Sequence, residues 1–301
     1  MKRAGYSLLL LLCLTTSCGP AADKTLENTE SSFKFAFLTD IDLNKGDNDC
    51  YEGLKTALDS AKDENIDFVI TGGDNVDIDV LKDDKQTAVF LYEKFNEICN
   101  ASSLKIYPAP GNHDYYRGAN DDPLNGPGMF SRYLGKPYYS FDHKGWHFVI
   151  LDTASSVVGE EQTEWIKKDL LNVDKQTPII IVCHIPFVSL YYQALEGKER
   201  SGAFRNAKNI WNLFAGHNLK LVLQGHQHLY EELKILNVQF ITAGAVSASW
   251  WNGPYHGTEE GFLVLTLKEK GDFSWYYKDF GWDAEKRKKE KKMFATPNVG
   301  D

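Results

Sequence analysis

Five apolar runs in this chain end on the same kind of polar cluster. Phe33–Thr39 runs into Asp40-Ile41-Asp42, Phe68-Val69-Ile70 into Gly73-Asp74-Asn75, and Leu104–Pro110 into Gly111-Asn112-His113-Asp114. Pro178–Cys183 presents His184, and Leu219–Leu223 leads into Gly225-His226-Gln227-His228. Continuous apolar runs of this length fit strands buried on both faces, so each cluster falls at the C-terminal end of a strand. That edge is where open α/β sheets bind ligands. An amide oxygen, imidazoles and carboxylates are poor material for packing. They suit a metal site with a proton donor beside it.

The segments between these runs read as helices. Asn48–Glu64 carries Tyr51, Leu54, Leu58 and Ala61 on one face, and further helices are expected over about 84–99, 161–171 and 206–215. Strand–helix alternation implies parallel strands with right-handed crossovers. Residues 115–137 read as loop, from Gly118, Pro123, Gly126, Pro127 and Gly128. Tyr138–Phe141 and Trp146–Leu151 read as adjacent strands around a Lys144-Gly145 turn, and 187–205 as a long excursion. The remainder is mostly β, over 232–236, 239–243, 262–267 and 273–277. No internal repeat and no linker follows residue 32. With 301 residues, 43% of them hydrophobic, the stretch 33–301 is expected to be one α/β domain around a substantial core.

The N-terminus reads as an export signal over residues 1–17: Lys2 and Arg3, then an apolar run from Leu8 to Leu14 that is too short to span a bilayer. Thr15-Thr16-Ser17-Cys18 resembles a bacterial lipoprotein box, with Thr15 in place of the usual aliphatic residue. This implies a lipidated Cys18, a polar tether over 18–32, and a place in the cell envelope or periplasm. Contact with a membrane is then expected only through that lipid anchor. Net charge is −9, so no nucleic-acid partner is expected; the basic run at 286–292 reads as a solvated helix face. Of the other cysteines downstream of the signal, Cys50 and Cys99 are open to pairing and Cys183 reads as a buried hydrophobe.

Asp40, Asp42, Asp74, Asn112, His184, His226 and His228 make seven O and N donors, more than one cation needs. Asp74 can bridge two ions, giving a two-metal hydrolytic site. No thiolate is in the set, which argues against a cysteine-type structural zinc. Gly73, Gly111 and Gly225 precede ligands, where the backbone must turn or approach closely.

The order Asp-x-Asp, Gly-Asp, Gly-Asn-His-Asp, His, Gly-His-x-His resembles the calcineurin-like metallophosphoesterase superfamily from about Phe37 to His228. The resemblance implies a four-layer α-β-β-α sandwich of two mixed sheets around a dinuclear centre. It also implies hydrolysis of small phosphomonoesters or diesters by a metal-bridged hydroxide. Carried over by position, the first metal takes Asp40, Asp42, Asp74 and His228, and the second takes Asp74, Asn112, His184 and His226. His113 is the implied catalytic residue beside the phosphate, with Asp114 orienting it.

Asp42 departs from the resemblance: the family most often has histidine there, whereas purple acid phosphatases use a tyrosine three residues after the bridging aspartate, and here that position is Asp77. Either Asp42 or Asp77 completes the first site, Asp77 being otherwise a helix N-cap. The carboxylates favour Fe or Mn at the first site, and the imidazoles Zn, Mn or Fe at the second. The alternative reading is a degenerate relative kept as a binding module. His143, His147, His217 and His256 read as packing or surface residues. Asp152 either supports the site or does not. Trp250–Gly253 and Phe187–Tyr192 either wall a pocket or pack.

Overall fold

In the computed structural model, residues 31–46, 49–82, 84–199 and 201–295 are described. The signal segment, Cys18 and most of the tether lie outside them. The first strand, β1 (Ser32–Leu38), shows why the chain folds in layers. Phe33, Phe35 and Phe37 point into one core, whereas Ala36 and Leu38 point into another. A strand alternates its side chains, so a run apolar at every position must be covered on both faces.

The chain continues through α1 (Cys50–Asp63), β2 (Phe68–Gly72), α2 (Lys85–Ser102) and β3 (Ile106–Ala109). Next come α3 (Gly128–Tyr133), the hairpin β4 (Tyr139–His143) and β5 (Trp146–Ile150), and α4 (Glu160–Leu170). β6 (Pro178–Val182), α5 (Tyr191–Leu195), α6 (Ala207–Leu213) and β7 (Asn218–Gln224) follow. The last elements are β8 (Glu231–Ile235), β9 (Val238–Thr242), β10 (Gly261–Lys268), β11 (Phe273–Asp279) and α7 (Ala284–Ala295).

Two mixed sheets result. The first has the order β11-β10-β1-β2-β3, with β1, β2 and β3 parallel and β10 antiparallel to β1. The second has the order β4-β5-β6-β7-β9-β8, with β5, β6, β7 and β9 parallel. Phe35, Phe68 and Leu265 of the first sheet meet Phe148, Ile180 and Leu221 of the second in the central core. The outer face of the first sheet packs on Leu54, Leu58, Leu91 and Phe95 of α1 and α2. That of the second packs on Ile166, Leu170 and Ile210 of α4 and α6. Three cores separate four layers, the expected α-β-β-α sandwich.

The stretch read as loop over 115–137 contains α3. Its Gly and Pro content signalled turns, but Met129 and Phe130 are fully buried and fix one helical turn and a half against the first core. The excursion over 187–205 contains the short α5. Cys50, Cys99 and Cys183 are buried and none is in a disulfide, so the Cys50–Cys99 pairing is not formed. No helix among the described residues is long and apolar enough to cross a membrane.

Candidate metal centre

The parallel strands β1, β2 and β3 of one sheet and β6 and β7 of the other release their C-terminal loops toward one another. Asp40 N–H donates to the Gly73 carbonyl (3.0 Å), and the amides of Ile41 and Asp42 both donate to that of Asp74 (2.9 Å each). The His226 amide donates to both carboxylate oxygens of Asp40 (3.0 Å each), joining the two sheet edges. Asp40, Asp42, Asp74, His226 and His228 all have φ between 50° and 74°, the left-handed region that non-glycine residues avoid. Five strained residues in one set of loops mark a geometry held by the surroundings, as functional sites are. Close approach explains the neighbouring glycines: a Cβ on Gly111 would lie 2.2 Å from both the Asp74 amide nitrogen and its Oδ1.

The side chains converge. His184 Nε2 lies 2.9 Å from Asp74 Oδ2 and 4.0 Å from Asp40 Oδ1. His228 Nε2 lies 3.4 Å from Asp40 Oδ1 and 3.7 Å from Asp42 Oδ2. Ligand atoms of Asp74, His184 and His226 all fall within 4.8 Å of one another. His184 Nδ1 donates to the Gly72 carbonyl (3.0 Å) and His228 Nδ1 to that of Ala248 (2.6 Å), which turns both Nε2 atoms inward. Backbone partners of this kind orient metal-binding imidazoles. Asp42 Oδ1, Asn112 Oδ1 and His184 Nε2 are buried without a hydrogen-bond partner, although the Asp74 carboxylate stands 2.9 Å from His184 Nε2. Buried polar atoms are rarely left so. Three of them on O and N donors around Asp74 fit a pair of cations.

Charge makes the same point. Burial works to raise Asp74, but His184, with His113 and His226, holds it well below the usual carboxylate range. Burial pushes Asp42 up to about 7; His228 opposes this, and the charges of Asp74 and Asp40 add to it. Burial would lower His184, but Asp74 and Asp40 raise it to about 9. Burial and His184 together lower His226 to about 4. Several like charges packed this closely need compensation, which bound cations supply.

Asp42, rather than Asp77, stands with Asp40 and His228. Its Oδ2 accepts from Ser247 Oγ (2.9 Å), a residue that no motif in the sequence marks. Asp77 is found instead at the His113 ring, 3.4 Å from Nδ1. It is not a helix cap: the 3₁₀ turn behind it begins at Asp79, with Ile78 at the cap.

His113 donates its amide to Asp74 Oδ1 (2.7 Å), and its Nε2 lies 3.9 Å from Asp74 Oδ2. Its Nδ1 is 2.6 Å from Asp79 Oδ1. Burial would lower the ring's pKa, but Asp77 and Asp79 push it up to about 12. Asp114, expected to orient His113, directs its carboxylate at the backbone of the turn and its neighbour. Its carboxylate accepts from the amides of Asn75 (2.9 Å), Val76 (3.1 Å) and Gly111 (2.7 Å) and from the Asn75 side chain (3.0 Å). A turn this sharp leaves backbone donors unpaired, and Asp114 serves them. The contacts of the His113 ring are made by Asp79 and Asp77.

A cleft of about 700 Å³ opens beside Asn112 and His226, walled by Tyr115, Tyr116, Arg117, Ser155, Ser156 and Tyr192. Asp152 accepts a hydrogen bond from the Tyr115 hydroxyl, so it supports that wall. Phe187 is buried while Tyr192 lines the cleft. The tryptophan pair divides likewise: Trp251 is buried and donates Nε1 to the Ile41 carbonyl (2.8 Å), whereas Trp250 is 40% exposed.

The model of the calcineurin-like phosphoesterase family matches residues 33–230. A probable cyclic nucleotide phosphodiesterase from Fibrobacter succinogenes is 23% identical over 60% of this chain and 69% of its own length. Purple acid phosphatase 15 from Arabidopsis thaliana is 33% identical over 36% of this chain, a match spanning 20% of that enzyme. Among solved structures, a dimetal phosphatase from Danio rerio superposes with a TM-score of 0.60 at 16% identity, covering 82% of this chain and 96% of that one. A matched segment that contains all five strand-end clusters, on the fold they require, places this chain in the calcineurin-like phosphoesterase family.

Proposed function

We propose that this chain hydrolyses small phosphate esters, monoesters or diesters, at a dinuclear centre. The observation that carries the reading is the set of partnerless buried donors around Asp74, beside a cleft large enough for a small ester. Asp40, Asp42, Asp74 and His228 would hold the first ion, and Asp74, Asn112, His184 and His226 the second. When bound, the pair would polarise the phosphoryl oxygens and acidify a water toward neutral pH.

The chain's own residues do the rest. His113 faces Asp74 with Nε2 while Asp79 holds Nδ1, so the Nε2 proton is available to the leaving oxygen or to transition-state charge. The cleft, with Arg117 as the one cation among its described lining residues, would take the ester's organic part. Export and lipid anchoring through Cys18 are proposed with this activity and would put substrate encounter in the cell envelope.

The test is direct. The purified protein is assayed with a chromogenic monoester and a chromogenic diester after loading with Mn²⁺, Fe²⁺ or Zn²⁺, and bound metal is quantified. Turnover with about two ions per chain is expected. Silence towards both esters with metal demonstrably bound would sink the proposal and favour the binding-module alternative.

A further inference from the structure

The segment after β9 is pinned to the metal-ligand loops at several points. Val246 N–H donates to the Thr39 carbonyl (2.9 Å) and Ser247 N–H to that of Asp40 (3.2 Å). Ser247 Oγ reaches Asp42, the Ala248 carbonyl receives His228 Nδ1, and the Trp251 indole holds the Ile41 carbonyl. Within this segment Ala248, Trp250 and Trp251 have φ of 42°, 49° and 67°. Left-handed backbone at bulky residues is costly, and it persists where the surroundings impose it. Trp251 explains its own conformation by filling the core at 1% exposure.

Trp250, by contrast, is 40% exposed. Its ring lies over His228, centroids 4.5 Å apart at 32°. Tyr255 meets Trp250 edge-on at 5.8 Å, and the Tyr255 hydroxyl pairs with that of Tyr191 at 2.7 Å. A strained backbone thus holds a large indole at the surface directly beside a candidate metal ligand, braced by two tyrosines. The 700 Å³ cleft adjoins Asn112 and His226, so this aromatic shelf adds a second contact region, beside the first-site ligand.

We propose that Trp250 is a specificity-determining residue that stacks the planar base of a nucleoside phosphate whose phosphate occupies the metal centre. The proposal rests on the phosphoesterase reading above. Base–aromatic stacking tolerates any base and is worth ~1–3 kcal/mol, which converts to about 5- to 150-fold in affinity. An aliphatic ester such as glycerol 3-phosphate draws nothing from the shelf.

The test uses the metal-loaded full chain, Trp250→Ala and Trp250→Phe. Two quantities are measured: calorimetric affinity for adenosine monophosphate, and the ratio of kcat/KM for adenosine monophosphate to that for glycerol 3-phosphate. We expect Trp250→Ala to weaken affinity and lower the ratio by about 5- to 150-fold, with Trp250→Phe restoring most of both. An unchanged ratio, unchanged affinity, or a native protein that does not bind adenosine monophosphate overturns the proposal. Binding that depends on Trp250 without turnover of either ester would leave the shelf standing and reject the catalytic reading instead.

Discussion

His113 Nδ1 stands 2.6 Å from Asp79 Oδ1, and the other oxygen of that carboxylate takes Arg117 Nη2 at 3.3 Å. The carboxylate fixes the ring's orientation, leaving Nε2 to face Asp74. Asp77 approaches the same nitrogen at a longer 3.4 Å. If His113 delivers a proton, Asp79 is the residue that positions it.

His113→Ala should therefore lower turnover by ~10²–10⁴-fold with both ions retained. Asp79→Asn should lower kcat by a smaller factor, of order 10-fold, with little change in KM. Both losses should shrink for esters with good leaving groups, which need little protonation. Metal content by mass spectrometry alongside kcat for phenyl and nitrophenyl esters decides the matter. Loss of metal in His113→Ala would reassign that histidine as a ligand.

How much of this was legible beforehand depended on whether a residue's role is set along the strand or across the fold. The five strand ends were readable because strands covered on both faces leave continuous apolar runs. His147 was read as a packing residue and is one, buried between Asp142 and Asp169. Asp114 looked like the partner of His113 through adjacency in sequence, but the turn spends its carboxylate on the backbone of residues 75, 76 and 111. Asp79 left only a trace, its alternation with Asp77 after Asp74. Ser247 reaches Asp42 from more than two hundred residues away and left none. α3 was hidden because Gly126, Pro127 and Gly128 signal a turn whether or not a buried Met-Phe pair follows.

Gly111 gives a steric prediction. A methyl group there would lie 2.2 Å from the backbone nitrogen of Asp74, which is fixed, and 2.2 Å from its Oδ1. Gly111→Ala should cost ~1–3 kcal/mol of stability, as overpacking does, and should also displace the Asp74 carboxylate. The expected result is a lower Tm in the metal-free protein and fewer than two ions bound after reconstitution. Native-like Tm and stoichiometry would show that the loop can yield.

The His147 bridge sets a pH dependence remote from the centre. Its Nδ1 meets Asp142 Oδ1 at 2.6 Å and its Nε2 meets Asp169 Oδ2 at 2.9 Å. Only the imidazolium has two N–H groups for two carboxylates. Burial works to lower His147, but Asp169 and Asp142 raise it above its ordinary value. For Asp169, burial works upward, but His147 and Ser140 bring it below its own. A raised histidine stabilises fully below the unfolded pKa of about 6.5 and loses that contribution as pH climbs through the folded value. The depressed Asp169 sets the acid limit, its contribution fading as pH falls below about 4. The Tm difference between the native protein and His147→Gln should thus be greatest near pH ~5–6 and shrink by pH ~9. A difference that is flat or grows with pH would contradict the charged bridge.

The last prediction concerns which ions bind. Around the first position Asp40, Asp42 and Asp74 bring three carboxylates, with His228 the only imidazole. At the second, Asp74 is joined by His184, His226 and Asn112. Hard carboxylates suit Fe and Mn, whereas imidazole accepts Zn and Fe alike. Asp42 also supplies an anion where most relatives are expected to have a neutral histidine, which favours an ion of higher charge. Burial that pushes Asp42 up to about 7 in the metal-free chain makes that anion unfavourable by itself, so the bound cation must stabilise it. An asymmetric centre follows, with Fe or Mn at the first position and Zn, Mn or Fe at the second. Asp42→His should move the first position toward Zn²⁺ and leave the second alone. Anomalous scattering at each metal edge, on both proteins grown with all metals supplied, distinguishes the positions without recourse to activity. Two zinc ions in the native protein, unchanged by the substitution, would show that ligand charge does not choose the metal here.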